Sequence, residues 1–346
     1  MSEKRALITG IGGQDGSYMA ELLLSKGYRV FGTMRRGSFP HTERIDHLFR
    51  EHDERDPEAR FRTFYMDLTD VSSIRNVLEE IQPDEVYNLA GQSHVGISFL
   101  TGESTLEING IGPFRLLDTI KKMGGNIRFY QASSSEMFGA SPPPQNETTP
   151  FLPQSPYGVS KVAAFYLTRM YRVAYGLYAA NGILFNHESP RRGLNFVTRK
   201  ITRGLTSILK GEARHLYLGN LDAKRDWGCA VDYVEAIWMI LQQEHPDDFV
   251  IATGESHSVR EFLEETFSLV GLDWEDFVVC EDRYFRPAEV PELLGDASKA
   301  RNVLGWRPKL GFHHLCHAML EHDLRAAGIR SLEDARRMAL RVRALN

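Results

Sequence analysis

The sequence is short of several features that mark particular classes of protein. Its 346 residues include only three cysteines, Cys229, Cys280 and Cys316, which are far apart and odd in number. Because this spacing fits neither a disulfide framework nor a metal-ligand motif, we expect reduced thiols, a cytoplasmic location and no bound metal. No stretch approaches the roughly 20 apolar residues of a membrane-spanning helix. The charged start, Met1 to Arg5, also lacks the apolar region of a signal peptide.

The sequence also has no excess of basic residues. The formal net charge is −5 at pH 7, which argues against nucleic acid as a partner. The hydrophobic fraction of 42% and the charged fraction of 25% are ordinary for a globular enzyme. The length therefore predicts one large domain or two closely packed domains.

Short apolar runs alternate with helical stretches through the first half of the chain. The runs predict strands at residues 5–9, 29–34, 61–66, 85–90, 127–132 and 178–184. Helices are predicted at residues 16–25, 71–80, 105–123 and 157–175. Strands that alternate with longer helices are typical of parallel βαβ units. The predicted fold class is therefore α/β, with a doubly wound parallel sheet of the Rossmann type.

The second half of the chain is less regular and predicts a smaller, mixed α/β substrate domain. Its expected elements are a loop at 186–199, a helix to 210, a strand at 249–253, a helix begun by Ser258 and a terminal helix at 331–344. We assign residues 1–185 to the Rossmann domain, with a return segment near 225–255. The substrate domain is assigned to 186–224 and 256–330, followed by a C-terminal helix at 331–346.

Gly10, Gly13 and Gly16 follow the first predicted strand and open the first helix, with Gln14 and Asp15 inside the same run. Glycines at this spacing permit a tight turn and let backbone N–H groups approach a pyrophosphate at the N-terminus of the helix. The strand–turn–helix context therefore predicts a dinucleotide-binding turn, and we include Gln14 and Asp15 in it.

The second predicted strand ends without an acidic residue that would hold a free ribose 2′-hydroxyl. Arg35, Arg36 and Ser38 stand there instead, and they suit a 2′-phosphate, so we predict NADP rather than NAD. Asp67, followed by Leu68, comes after the third strand, where its carboxylate can accept a hydrogen bond from adenine or cap the next helix. The fourth strand ends in a segment that lets the cofactor lie close and that contains Leu89, Ala90 and Gln92.

A predicted reacting centre combines Tyr157 and Lys161 with Ser134 and Glu136. Tyr157 and Lys161 are spaced i and i+4, so they share one face of the predicted helix. An ammonium group beside a phenol stabilises the phenolate, and Tyr157 can then accept a proton near neutral pH. Glu136 adds a carboxylate that simple alcohol oxidation does not require. The set therefore predicts hydride transfer combined with acid–base elimination.

Together these motifs resemble the extended short-chain dehydrogenases that modify nucleotide sugars. The runs at 186–193, 195–200, 219–228 and 249–254 are similar to those of the GDP-mannose 4,6-dehydratases, and the likeness extends over residues 5–323. It implies a redox-neutral 4,6-dehydration of a GDP-hexose, GDP-mannose to GDP-4-keto-6-deoxymannose, by a lyase with bound NADP and internal hydride transfer from C4 to C6. In that scheme Tyr157 deprotonates the C4 hydroxyl, Ser134 bonds the C4 oxygen, and Glu136 takes the C5 proton.

The resemblance also implies roles for side chains that the sequence alone leaves undecided. Lys161 would bind the nicotinamide ribose, and His187 and Arg192 would lie at the cofactor. The implied GDP-sugar contacts are Asn186, Lys200, Arg225, Arg286 and Glu289. The loop at 191–193 would reach a neighbouring subunit, which implies a homo-oligomer, either a dimer or a tetramer.

Four residues depart from the resembled family and leave an alternative substrate open. Ser104 stands where the family typically has a tyrosine near the cofactor, and Asn109 where it has an aspartate or similar. Ser134 stands where the family usually has threonine, and Phe138 where it has tyrosine. The same dehydration acting on GDP-D-glycero-D-manno-heptose, which carries a larger C6 substituent, is therefore the alternative. An epimerase or reductase on a nucleotide sugar is less favoured because it does not need Glu136. A protein that binds NADP without turnover is less favoured still, because both Tyr157 and Lys161 are present.

Overall fold

The computed structural model describes residues 3–38, 41–52, 56 and 59–344. The strands of this part of the chain are β1 (Arg5–Thr9), β2 (Arg29–Met34), β3 (Phe61–Tyr65), β4 (Glu85–Asn88), β5 (Arg128–Ser134), β6 (Ala179–Leu184), β7 (Asn186–Glu188), β8 (Leu216–Leu218), β9 (Lys224–Arg225), β10 (Trp227–Cys229), β11 (Asp248–Ile251), β12 (His257–Ser258), β13 (Val278–Cys280) and β14 (Glu292–Leu293).

The α-helices lie between these strands and after them. They are α1 (Gln14–Ser25), α2 (Asp46–Glu51), α3 (Val71–Ile81), α4 (Val95–Ser98), α5 (Gly102–Leu106), α6 (Gly112–Met123), α7 (Pro156–Tyr175), α8 (Val197–Leu209), α9 (Ala230–Leu241), α10 (Val259–Ser268), α11 (Phe312–Ala326) and α12 (Leu332–Arg343). Among the helices of the described residues, none combines the length and the apolar character needed to cross a bilayer.

Seven parallel strands form the main sheet in the order β11-β6-β5-β4-β1-β2-β3. The chain runs outward from β1 to β3, then returns to place β4 on the other side of β1. This reversal creates a crevice at the carboxyl ends of β1 and β4, where doubly wound sheets bind their ligands. The predicted fold class is confirmed.

Alternating apolar residues of the strands bury both faces of the sheet. Along β1, Ala6 and Ile8 face one apolar cluster and Leu7 faces the other, and all three are fully buried. The first cluster includes apolar residues of α1 and α9, and the second includes those of α3 and α6. Because helices cover both faces, the carboxyl edge of the sheet is where polar side chains can gather.

A separate apolar cluster forms from the later part of the chain, between α8, α10, α11 and α12. Trp227 lies parallel to Phe312 at a ring-centroid distance of 6.2 Å, and Phe262 meets Phe312 edge-on. The helix predicted to begin at Ser258 does so: Ser258 Oγ accepts from the Glu261 amide, and the Glu261 carboxylate accepts from the Ser258 amide. This reciprocal capping box satisfies two amides at the start of α10.

Two of the predicted elements are wrong in detail. The single helix expected at 105–123 is α5, a π-helical turn at Glu107–Ile111, and α6. The loop expected at 186–199 contains β7 at its start, and α8 already begins at Val197. β7 forms because it pairs with β10, a partner distant in sequence, which periodicity within the loop cannot reveal.

Candidate active site

The glycine-rich run forms a tight turn at the reversal point of the sheet. Gly10 has φ +72°, and a Cβ there would come 2.8 Å from the Cα of Ala90. A Cβ on Gly16 would come 2.4 Å from the Gly10 carbonyl oxygen. Gly13 precedes α1 in an extended conformation, and none of the described side chains caps that helix. The first N–H groups of α1 are therefore suited to bind an anion.

The end of β2 lies beside this turn, since the Gly10 amide donates to the Thr33 carbonyl over 3.0 Å. Arg35, Arg36 and Ser38 follow with exposed side chains. The Arg36 guanidinium lies 5.7 Å from the ring centre of Tyr65. A basic segment thus follows directly on the strand end that contacts the glycine-rich turn.

Asp67 shapes the turn after β3 and does not cap α3. Its Oδ1 accepts from the amide and the hydroxyl of Thr69, over 2.9 and 2.8 Å. The cap of α3 is Asp70, whose carboxylate accepts from the Ser72 amide over 2.9 Å. The capping alternative for Asp67 is therefore wrong, because Asp70 occupies the position that a cap must have. Leu68 is buried against Gly112.

The segment after β4 is held by two polar side chains whose contacts sequence reasoning missed. The Thr9 hydroxyl accepts from the amides of Leu89 and Ala90 over 3.1 and 3.0 Å. Asn109, in the π-helical turn, accepts from the Gln92 amide over 2.9 Å and donates to its carbonyl over 2.8 Å. A polar residue at a buried helical position was the available signal for Asn109, but its partner could not be read from spacing.

The hydroxyl groups and the ammonium group of the predicted centre lie together at the carboxyl end of β5. The Ser134 hydroxyl lies near enough to the Tyr157 side chain to favour its ionised form. Lys161 Nζ donates to the Ala132 carbonyl over 2.8 Å and lies 5.8 Å from the ring centre of Tyr157. Ser98, a further residue that the sequence did not suggest, accepts from the Tyr157 amide over 3.2 Å. The start of α7 is thereby anchored to α4.

Burial is the main influence on the pKa values of Tyr157 and Lys161. Burial raises the pKa of Tyr157 to about 12, although the nearby Ser134 hydroxyl acts to lower it. Burial also lowers the pKa of Lys161 to about 8. Since the Lys161 ammonium bonds a carbonyl rather than the phenol, it does not by itself bring the pKa of Tyr157 toward neutral, contrary to the simplest expectation from their spacing.

Glu136 faces the arginines of the later part of the chain. Its side chain is 8% exposed, and Oε1 lies 3.6 Å from Arg286 Nη1. The Arg286 amide donates to Glu289 Oε1 over 2.9 Å. Buried Arg225 also acts on Glu136 electrostatically and donates to the Val290 carbonyl over 2.9 Å. The predicted C5 base and the predicted diphosphate ligands therefore meet across one cleft.

The other predicted sugar-nucleotide contacts border this cleft less directly. Lys200 Nζ lies 3.7 Å from the ring centre of Tyr284, and burial lowers the pKa of Lys200. Asn186 begins β7 and is in register with Trp227 of β10. Neither side chain touches Glu136 in the contacts of the described residues, so their predicted roles rest on their place in the fold.

His187 and Asp15 join β7 to the first turn of α1. His187 Nε2 lies 2.8 Å from Asp15 Oδ2, and Nδ1 lies 2.8 Å from the Phe185 carbonyl oxygen. Since both acceptors are oxygens, both ring nitrogens donate and the imidazole is cationic. Burial would raise the pKa of Asp15, but His187 outweighs it and holds the value at about 2. Burial lowers the pKa of His187, and Asp15 reverses this to a net rise.

We expect Asp15→Asn to lower the free energy of unfolding by about 2 kcal/mol at about pH 5. The folded-state pKa of Asp15 lies below its ordinary value of 3.8, so its contribution is complete above about pH 4 and lost toward pH 2. The pKa of His187 lies above its ordinary 6.5, so its contribution is lost as the pH rises through that folded-state value. Urea unfolding at about pH 5 and about pH 8 checks this, and an equal loss at both values would contradict it.

The loop after β7 packs on its own α1 rather than outward. Arg191 donates to Ser17 Oγ over 3.0 Å and to Glu21 Oε1 over 2.6 Å. Arg192 places Nε 3.0 Å from Glu188 Oε2 and its guanidinium 3.7 Å from the ring centre of Phe196. Arg192 therefore packs within the loop after β7, Arg191 links that loop to α1, and the cofactor role of Arg192 stays a prediction.

A glycine-rich turn at the reversal point of a doubly wound sheet, with a buried Ser–Tyr–Lys cluster beside it, defines the class of extended short-chain dehydrogenases. Comparison with known proteins narrows this class. The family described as GDP-mannose 4,6 dehydratase matches residues 7–319. The chain belongs to this family.

Individual relatives agree with the family match. GDP-mannose 4,6 dehydratase 2 of Arabidopsis thaliana is 56% identical over 328 residues, which cover 94% of this chain and 88% of the relative. The Homo sapiens GDP-mannose 4,6 dehydratase is 49% identical over 92% of this chain and 91% of its own. Among solved structures, UDP-glucose 4-epimerase of Thermus thermophilus, in complex with NAD, is 26% identical with a TM-score of 0.77, covering 92% of this chain and 98% of that one.

Proposed function

We propose that this protein is a lyase that converts GDP-mannose to GDP-4-keto-6-deoxymannose and water. The observation that carries the proposal is the position of Glu136, a buried carboxylate beside the Ser134–Tyr157 pair and opposite Arg286. A redox reaction at C4 alone needs only the hydroxyls and Lys161. A carboxylate in the same cleft supplies the base that an elimination across C5–C6 requires.

The crevice fits a nicotinamide dinucleotide, and we propose NADP. The residues that would hold it are Gly10, Gly13, Gln14, Asp15, Gly16, Arg35, Arg36, Ser38, Asp67, Leu68, Leu89, Ala90, Gln92, Lys161, His187 and Arg192. When bound, it would supply the hydride acceptor for C4 and the hydride donor for C6. The choice of NADP over NAD is supported by the basic end of β2, which offers guanidinium groups and no carboxylate to the 2′ position.

Removing both arginines at the end of β2 is expected to weaken NADPH binding selectively. In the variant Arg35→Ala/Arg36→Ala, loss of two charge-assisted contacts should raise the Kd for NADPH by roughly a hundredfold. The Kd for NADH should stay unchanged, because NADH has no 2′-phosphate. Fluorescence titration measures both constants, with Arg75→Ala, an exposed arginine of α3, as the control. An equal loss for NADPH and NADH would remove the proposed 2′-phosphate site.

The buried hydroxyl pair handles the proton at C4. Tyr157 takes the proton of the C4 hydroxyl, and the neighbouring Ser134 hydroxyl holds the C4 oxygen. Lys161, fixed on the Ala132 carbonyl, supplies a positive charge near the phenol as its proton balance changes. Because all three are buried and held by the protein, they act without reorganising bulk water.

Glu136 then handles the proton at C5, which the C4 ketone has made acidic. Its carboxylate takes that proton, and the C6 hydroxyl leaves as water. The diphosphate is held on the other side of the cleft by Arg225, Arg286 and Lys200, since guanidinium groups bind phosphate oxygens bidentately. Glu289 and Asn186 would hold hydroxyls of the nucleoside and sugar.

The heptose substrate is not favoured. Phe138, one of the residues that suggested it, is fully buried and packs against Phe151 and Phe185 at ring-centroid distances of 5.3 and 6.0 Å. It therefore fills the core behind the site rather than lining the sugar pocket. The match to the GDP-mannose 4,6 dehydratase family supports the hexose as well. The epimerase and reductase alternatives are not favoured either, because neither reaction uses the Glu136 carboxylate as a base.

Product analysis tests the function. Purified protein is incubated in parallel with GDP-mannose and with GDP-D-glycero-D-manno-heptose, without added reductant, and the products are weighed by mass spectrometry. We expect loss of one water from GDP-mannose at the higher rate. Faster loss from the heptose would reassign the substrate. Loss of water from neither substrate would favour an epimerase or reductase activity instead.

We also propose that the protein is a cytoplasmic homo-oligomer, either a dimer or a tetramer. Apolar side chains on the outer faces of α6 and α7 stay exposed, including Phe114, Tyr166, Met170 and Val173, which is 83% exposed. Large exposed apolar patches are rare on monomers, so a second copy of the chain is the expected cover. Light scattering tests this, and a mass equal to one chain would contradict it.

A further inference from the structure

Arg44 lies directly before α2, in a segment that crosses the glycine-rich turn. A Cβ on Gly12 would come 2.5 Å from the carbonyl oxygen of His41, so the two backbones are in contact. The Arg44 side chain is partly buried there. Its Nη1 donates to the Gly12 carbonyl over 3.2 Å, and its Nε donates to the Arg191 carbonyl over 2.8 Å. One guanidinium thus joins the glycine-rich turn to the loop after β7.

The bond to Gly12 completes the support of one peptide group in the glycine-rich turn. The Gly13 amide of that peptide donates to the Gly10 carbonyl over 2.9 Å, and its oxygen, on Gly12, accepts from Arg44. A peptide group held at both ends cannot rotate. The next amides along the chain are those of Gln14 and Asp15, which begin α1 and face the proposed pyrophosphate.

The bond to Arg191 does the same for the loop after β7. The Arg192 amide donates to the Ser189 carbonyl over 3.0 Å, and the oxygen of the same peptide group, on Arg191, accepts from Arg44. The residue that follows this oxygen is Arg192, a predicted cofactor ligand. Arg44 therefore orients the backbone on both sides of the crevice.

The charged neighbours of Arg44 are themselves paired. Burial lowers the pKa of Arg44, and although Glu43 opposes this, Arg199 and Arg191 lower it further. Arg191 lies 2.6 Å from Glu21 and Arg199 lies 2.7 Å from Asp323. Arg44 therefore acts through its two carbonyl bonds rather than through an unbalanced positive charge.

We propose that Arg44 is a positioning residue for the dinucleotide: by bonding the Gly12 and Arg191 carbonyls it keeps the two walls of the crevice at the spacing that retains the cofactor. This rests on the proposed use of a nicotinamide cofactor. It depends on the planar guanidinium fork, because Nε and Nη1 point to separate acceptors in fixed directions. A lysine at this position keeps the charge but cannot hold both carbonyls in the same geometry.

The test measures cofactor release and backbone protection in the full chain. Protein loaded with NADPH is mixed with excess NADP⁺, and the loss of NADPH fluorescence gives the release rate. Arg44→Ala and Arg44→Lys should both release NADPH roughly tenfold faster than the unchanged protein. Hydrogen exchange should also speed up at residues 189–193 in both variants. Arg50→Ala, an exposed arginine of α2, is the matched control and should change neither quantity.

The two variants separate positioning from a direct charge contact. Slow release in Arg44→Lys would show that charge alone suffices and would overturn the proposal, as would unchanged release in Arg44→Ala. Release is measured without any sugar, so a failure of the proposed dehydration leaves this result interpretable. If the unchanged protein binds NADH and not NADPH, the cofactor proposal fails and the same release is measured with NADH.

Discussion

Replacing Glu136 by glutamine is expected to lower kcat for dehydration by about 10²–10⁴-fold while the Kd for NADPH stays unchanged. Glutamine has the size of glutamate and can still face Arg286 Nη1, which lies 3.6 Å from the carboxylate. What it loses is the ability to accept the C5 proton. Since the sugar can still bind and the Ser134–Tyr157 pair is intact, the loss should fall on the elimination itself.

Solvent deuterium gives the sharper readout for this variant. In the unchanged protein, a proton taken by Glu136 exchanges with water before a proton is returned, so product formed in heavy water should carry deuterium at C5. In Glu136→Gln the rate at which deuterium enters C5 should fall together with the rate of dehydration, because any product still gains its C5 hydrogen from solvent. Glu103→Gln, an exposed carboxylate at the start of α5, is the control and should behave normally. A normal rate with full labelling in Glu136→Gln would remove Glu136 as the C5 base.

The parallel sheet was predictable because its signals are local. Strands β1 to β6 are short apolar runs, and their observed ends lie within about two residues of those predicted. The start of α10 was readable from Ser258 and Glu261, whose reciprocal capping lies within four consecutive residues. In each case the residues that form the element also contain the information about it.

Elements that depend on distant partners were not predictable in this way. The π-helical turn that joins α5 to α6 contains Asn109, whose side chain bonds the backbone of Gln92. β7 exists through its pairing with β10, and the sequence between them shows no strand periodicity. Such bonds are made by tertiary structure, so a window of neighbouring residues carries no trace of them.

In the candidate site, too, contacts between residues close in sequence were predictable and contacts between distant residues were not. The spacing of Tyr157 and Lys161 on one helix was enough to predict that they share a face. The meeting of Glu136 with Arg286, and of Asp15 with His187, requires the loops after separate strands to converge. Arg44 gave no signal at all, because its partners are backbone carbonyls, which every residue has.

Replacing Tyr157 by phenylalanine is expected to lower kcat by about 10²–10⁴-fold, since the C4 hydroxyl then has no group to take its proton. Phenylalanine keeps the ring in its buried position, so the fold and the Kd for NADPH should not change. Ser134→Ala should cost less, because it removes a hydroxyl that lies near the phenol and bonds the C4 oxygen but leaves the proton acceptor in place. A rate in Tyr157→Phe close to that of the unchanged protein would assign the C4 proton to another group.

The pH profile of the unchanged protein tests how Tyr157 is assisted. Burial raises the pKa of Tyr157 to about 12, so the phenolate needs a nearby positive charge to form during the reaction. Lys161 can supply it only while protonated, and burial lowers its pKa to about 8. The assistance is therefore complete well below pH 8 and is lost as the pH rises through that value. We expect kcat to fall above about pH 8 in the unchanged protein, and Lys161→Met to be slower with no such fall. If the fall persisted in Lys161→Met, a different group would be losing its proton there, and Lys161 would be left with a binding role alone.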